Sequence, residues 1–176
     1  FIITLTLTAF TFAGSKIFIT EITDPQNSST AGRYLELYNS EPEDTPFPTR
    51  DGGMALVRWT NGNADYTASS LKYLAPDDTE AYNGIPPYGF YIVCNDAGKF
   101  AATWPDLTCD QDIGTGGAAD SNGDDNIALV DAREEGGTVF IEILDMFGVA
   151  GEDGTGTGHE FEDGRAERAE GVMQGN

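Results

Sequence analysis

At 176 residues, with 9 basic against 30 acidic side chains and a formal net charge of -21, the chain is long enough for one domain with a real core. Binding nucleic acid through its phosphates needs a basic patch, which this balance excludes, and an anionic membrane surface is disfavoured for the same reason. So large a charge keeps copies apart unless salt or cations screen it. Two readings of the acidity follow: solubility in a salty or calcium-containing medium, or a cation-binding surface.

Phe1–Gly14, FIITLTLTAFTFAG, opens the chain and has two readings. Its short apolar core ends in the small residues Ala13 and Gly14, close to the cleavage pattern of a secretory peptide, and the missing initiator Met points to a processed or incomplete start. As structure it is a strand, with Ile3, Leu5, Leu7 and Ala9 on one face and Thr4, Thr6, Thr8, Phe10 and Phe12 on the other. An apolar strand needs a sheet to pair with, either its own or a neighbouring copy's.

Further strands are expected at Lys16–Ile22, Arg33–Asn39, Gly53–Trp59, Ser70–Leu74, Gly89–Cys94, Asn126–Asp131 and Thr138–Leu144. In Tyr34–Tyr38 the leucines face one way and the Tyr/Glu set the other, while Val139, Ile141 and Ile143 share a face. One helix is expected over Asp96–Trp104, capped by Asn95 or Asp96 and stopped by Pro105. Glu41–Asp51 and Asp110–Asp125 read as surface loops, and residues 169–176 as a tail that a neighbouring copy would have to order. Short strands at this spacing, with turn residues between them, predict a β-sandwich over residues 15–168.

No segment has the roughly 20 apolar residues a membrane helix needs, so no membrane insertion is expected. Cys94 and Cys109 fit one disulfide of an oxidising compartment, with two buried free thiols as the alternative. Asn27-Ser28-Ser29 is a glycosylation sequon if the chain is exported through a glycosylating pathway.

Ile17–Ile22 followed by Tyr34–Asn39 resembles the first two strands of the lamin-tail domain family. Gly53–Val57, Tyr88–Val93, Ser121–Leu129, Asp145–Gly148 and Asp163–Arg168 are similar to its later segments, in the family's order. The resemblance covers residues 16–168 and implies an immunoglobulin-like β-sandwich without enzymatic activity, used in secreted proteins as a module or as a surface and assembly unit. It does not extend to the N-terminal strand, and the loops here are longer than the family's minimal pattern.

The single histidine, His159, lies in an acidic Gly-rich stretch with no nucleophile elbow beside it, so no enzyme is expected. Glycine-rich runs at Gly114–Gly117 and Gly151–Gly158 precede neither a helix nor a Lys and make no phosphate cradle. Asp120, Asn122 and Asp124 alternate, with Asp125 adjacent and Asp131 at the twelfth place, an oxygen-ligand spacing that calcium can use. Asp125 stands where such a loop needs Gly, and a plain Asn122-Gly123 hairpin turn explains the same residues. A second acidic group, Glu152, Asp153, Glu160, Glu162 and Asp163, reads as a solvated loop or as a cation site at a subunit boundary. Trp59, Tyr66, Tyr82, Tyr88 and Trp104 are candidates for a carbohydrate platform, with core packing as the other explanation.

Two functions from different classes are expected. The first is a structural subunit of a secreted, extracellular filament or sheath, a homopolymer in which Ile3, Leu5, Leu7 and Ala9 enter the next copy's sheet. The second is a secreted monomeric module that docks on polysaccharide or a cell surface.

Overall fold

The computed structural model describes residues 15–25, 28, 30–46, 52–74 and 84–176. Its strands, in chain order, are β1 (Ile17–Thr23), β2 (Tyr34–Asn39), β3 (Thr45–Pro46), β4 (Gly52–Trp59), β5 (Lys72–Tyr73), β6 (Gly84–Ile85) and β7 (Phe90–Cys94). The helix α1 (Ala97–Thr103) follows, then β8 (Gln111–Asp112), β9 (Asn126–Glu135), β10 (Thr138–Phe147) and β11 (Arg165–Glu167). They form a five-stranded sheet, order β11-β1-β2-β7-β8, a four-stranded sheet, order β10-β9-β4-β5, and a small β3-β6 pair. The protein is an all-β sandwich.

Alternation places the core between the two large sheets. Ile17, Ile19, Ile22, Leu35, Leu37 and Val93 of the first sheet pack with Leu56, Ile127 and Leu129 of the second. Tyr34, Glu36 and Tyr38 turn to the opposite face of β2, as the period of two requires. That outer face carries α1 at one end, where Phe100 packs against Tyr34, Ile92 and Cys94. The Asp96 carboxylate accepts from the Lys99 N–H at 2.8 Å, capping the helix as expected. Gly32 lets the helix approach: a Cβ there would lie 2.3 Å from the Phe100 Cα. Cys94 and Cys109 are joined in a disulfide.

Burial, first of all, pushes the Glu36 carboxyl above its usual range, helped by the nearby Glu21 and Glu167, while the Thr20 hydroxyl bond acts against the rise. The folded chain therefore holds this proton more tightly than the unfolded chain, and ionising the group costs stability at neutral pH. We expect Glu36→Gln to raise the melting temperature at pH 7, with the gain fading as pH falls through the carboxylate range. Equal gains at pH 7 and pH 3.5 in a calorimetric titration would rule this origin out.

Three stretches differ from the sequence reading. Asp110–Asp125 is not a surface loop: β8 pairs with β7 in parallel, and Ala118, Ala119 and Asp125 are buried. Paired polar groups make that burial possible, as the site below shows. The final hairpin is longer than expected because a two-residue turn, Gly136-Gly137 with φ 60° and 80°, joins β9 directly to β10. Residues after Arg168 fold back on their own sheet, where the Gly175 N–H donates to the Ser15 carbonyl and the Ser40 hydroxyl to the Met173 carbonyl. The expectation of a disordered tail missed these bonds because they join opposite ends of the chain.

Candidate functional site

The feature that sets this sandwich apart is the edge of its four-stranded sheet. β10 is a 10-residue strand that pairs with β9 alone among the described strands. Phe140 is 56% exposed and Ile143 46% exposed, and the strand has neither Lys nor Pro to blunt it. A two-residue turn makes Glu135 and Thr138 a hydrogen-bonded pair, so Phe140 and Glu142 also turn their backbone groups toward β9. Val139, Ile141 and Ile143 therefore turn theirs to the open side. Val139 and Ile141 also extend a second apolar layer, on the outer face of this sheet, that includes Ala55, Val57, Ala128, Val130 and Ala132.

The remaining edges are closed or short. β5 and β8 have two residues each. β1 is covered by β11 at Glu21–Thr23, and beyond that point side chains take over. The Asp145 carboxylate, fully buried, accepts the Ile19 N–H at 2.8 Å. Arg168 donates from Nε to the Ile19 carbonyl at 2.6 Å, and from Nη2 to both Asp145 oxygens at 2.7 and 2.6 Å. Its backbone N–H donates to the Thr20 carbonyl, and its guanidinium stands over the Phe18 ring at 5.3 Å. The Asn176 N–H adds a bond to Asp145 Oδ1 at 3.0 Å. An ion pair thus satisfies the backbone where a strand would otherwise sit.

Three residues of the expected calcium spacing, Asp120, Asp125 and Asp131, pair with arginines. Asp120 faces Arg33 at 3.6 Å, and its carbonyl accepts from Arg33 and Arg58. Buried Asp125 faces Arg58 at 3.2 Å and accepts the Asn61 N–H. Asp124 accepts from the Asn61 amide at 2.7 Å, Asn122 is exposed, and Asp131 pairs with Arg133 at 2.6 Å. Burial and then the neighbouring Asp125 raise the Asp124 carboxyl. Among the described residues, no group of three or more His, Cys, Asp or Glu side chains is placed to hold one metal ion. Asn122-Gly123 is not a hairpin turn either. A 3-10 turn, Ala118–Asp120, precedes it, and Gly123, at φ 99°, accepts the Phe161 N–H where a Cβ would strike the Glu162 backbone.

Of the proposed aromatic platform, Trp59 is buried edge-on to Tyr66, and Trp104 packs on Tyr34 while donating to the Gly32 carbonyl. Tyr88 stands apart at 56% exposure. It lines a groove of about 350 Å³ with Phe90, Tyr38, Val172 and Met173. Phe18, Tyr38 and Phe90 are register partners across three strands, a row visible only once the strands are aligned. His159 contacts Thr157 through Nδ1 and the Phe147 ring.

Ile3, Leu5, Leu7, Ala9, Asn27 and Tyr82 lie outside the described residues. No helix among the described residues is long and apolar enough to cross a membrane. Among known proteins, no family model, no curated protein and no solved structure matches the chain, so the lamin-tail resemblance rests on its own strand segments.

Proposed function

We propose that the protein is a secreted structural subunit of an extracellular filament or sheath, whose copies join head to tail when residues 1–14 of one complete the sandwich of the next. The observation that carries this reading is the pairing of supply and demand in one chain. Phe1–Gly14 is an uncharged, alternating apolar segment, and the four-stranded sheet ends in a long strand with one described neighbour and exposed Phe140 and Ile143. Strand addition satisfies an edge's backbone groups and places alternate side chains in contact. A contact between two different surfaces of the same chain propagates without closing. Salt or calcium then has a simple part, screening the repulsion between copies at -21 each.

The full chain should form sedimenting fibres in electron micrographs at physiological salt, and a variant lacking residues 1–14 should remain monomeric. Fibres formed equally well by the shortened chain would overturn the reading. The exposed groove of Tyr38, Tyr88 and Phe90 favours the second reading, a monomeric module with an aromatic ledge for polysaccharide. Monomers of the full chain that pull down with insoluble polysaccharide would select it.

A further inference from the structure

The geometry points to β10 as the acceptor: its open side, Thr138–Ile143, receives Ile3–Ala9 of a second copy of this chain. This rests on the strand-donation reading and names the surface that reading leaves open. Among the described strands, each alternative edge fails for a stated reason. β3, β5, β6 and β8 offer two residues each, and β11 three. β1 has its open backbone groups taken by Asp145 and Arg168, with Ile19 bonded through both its N–H and its carbonyl. Among the described strands only β10 presents a run close to the length of Ile3–Ala9, with the Val139, Ile141 and Ile143 backbone groups aimed outward and bonded to nothing among the described residues.

The surroundings of Ser15 support a donor from another copy. Ser15, the residue from which the segment departs, is bonded to Gly175, and Asn176 is bonded to Asp145 at the far end of β10. Gly175 packs so closely on β10 that a Cβ would meet the Leu144 carbonyl at 2.6 Å. Residues 175–176 therefore lie between Ser15 and the Leu144–Asp145 end of β10. Over Thr138–Ile143 no described residue bonds to the outward backbone groups, so a donor arriving from outside has that run to pair with. Its Ile3, Leu5 and Leu7 extend the apolar row of Val139, Ile141 and Ile143, and its lack of charge adds nothing to the repulsion between acidic copies.

The decisive variant is Ile141→Pro in the full chain. Proline at this position removes an outward N–H and leaves the bonds to β9 in place. Fibres should be lost, while the monomer melts within a few degrees of the parent. Undiminished fibre formation by this variant would overturn the β10 assignment. A second measurement does not depend on how well the proline is tolerated. Cysteines placed at Leu5 and Ile141 of the full chain are joined by a short bismaleimide, beside a control pair at Leu5 and Thr20. A ladder of linked chains from the Ile141 pair alone supports β10. A ladder from the Thr20 pair alone moves the acceptor to β1 and leaves strand donation standing. Linkage confined within single chains shows that the segment folds on its own sandwich, and overturns both.

Discussion

Replacing Arg168 with Ala should lower stability by about 3–5 kcal/mol, the usual cost of stripping one partner from a buried ion pair. Asp145 is fully buried, and Arg168 Nη2 donates to both of its oxygens, so without it the carboxylate would be left inside the protein with only the Ile19 and Asn176 N–H groups among its described donors. The Ile19 carbonyl loses its donor in the same step. For a domain of this size the melting temperature should fall by roughly 10 °C in a circular-dichroism melt. Arg168→Lys should recover less than half of the loss, because an ammonium cannot reproduce the forked bonds to Asp145 and Ile19. Replacing both partners with apolar residues, Asp145→Leu with Arg168→Met, should be milder than Arg168→Ala alone, since no orphaned charge remains. A single Arg168→Ala variant that melts with the parent would show that the pair contributes nothing net.

Reduction of the Cys94–Cys109 bond should cost about 3 kcal/mol, the loop-closure value for a separation of 15 residues. The loop encloses α1, whose Phe100 is buried against Tyr34 and Ile92, and the disulfide ties the segment after the helix back to the end of β7. The Asp96 cap and the Trp104 bond to Gly32 remain after reduction, so the helix should loosen before the sandwich opens. A reductant should therefore lower the melting temperature by roughly 6–12 °C and weaken the near-ultraviolet signal of Trp104 first. A Cys94→Ala, Cys109→Ala double variant should behave like the reduced protein. Identical melts with and without reductant, with free thiols verified, would remove the disulfide from the account of stability.

The contrast between β1 and β10 carries the functional argument. Both strands had the alternation of sheet members, and both were legible as strands in the sequence. One is closed along its side by an aspartate and an arginine that lie far from it in the chain, and the other has one described neighbour. That difference is what selects an acceptor, and no local pattern contains it. The calcium spacing makes the same point from the opposite side. Asp120, Asp124 and Asp125 were close in sequence, yet Arg33 and Arg58, from β2's approach and β4, stand among them in the fold. The aromatic row of Phe18, Tyr38 and Phe90 was hidden for a related reason: each residue belongs to a different strand, and only register brings the rings together.

By itself the sequence determined the all-β class, the main strands and the capped helix after Asn95, and it put a disulfide between the two cysteines ahead of free thiols. These are properties of neighbours along the chain: side chains alternate with a period of two, Asp96 reaches only its own first turn, and a short loop closes easily. The tertiary structure alone decided which edge is open among the described residues, what fills the end of β1, and where residues 169–176 lie. Those outcomes depend on contacts such as Ile19 with Asp145, 126 residues apart. Such a bond forms because a buried backbone group must find a partner somewhere, and which partner reaches it is settled only when the two sheets pack.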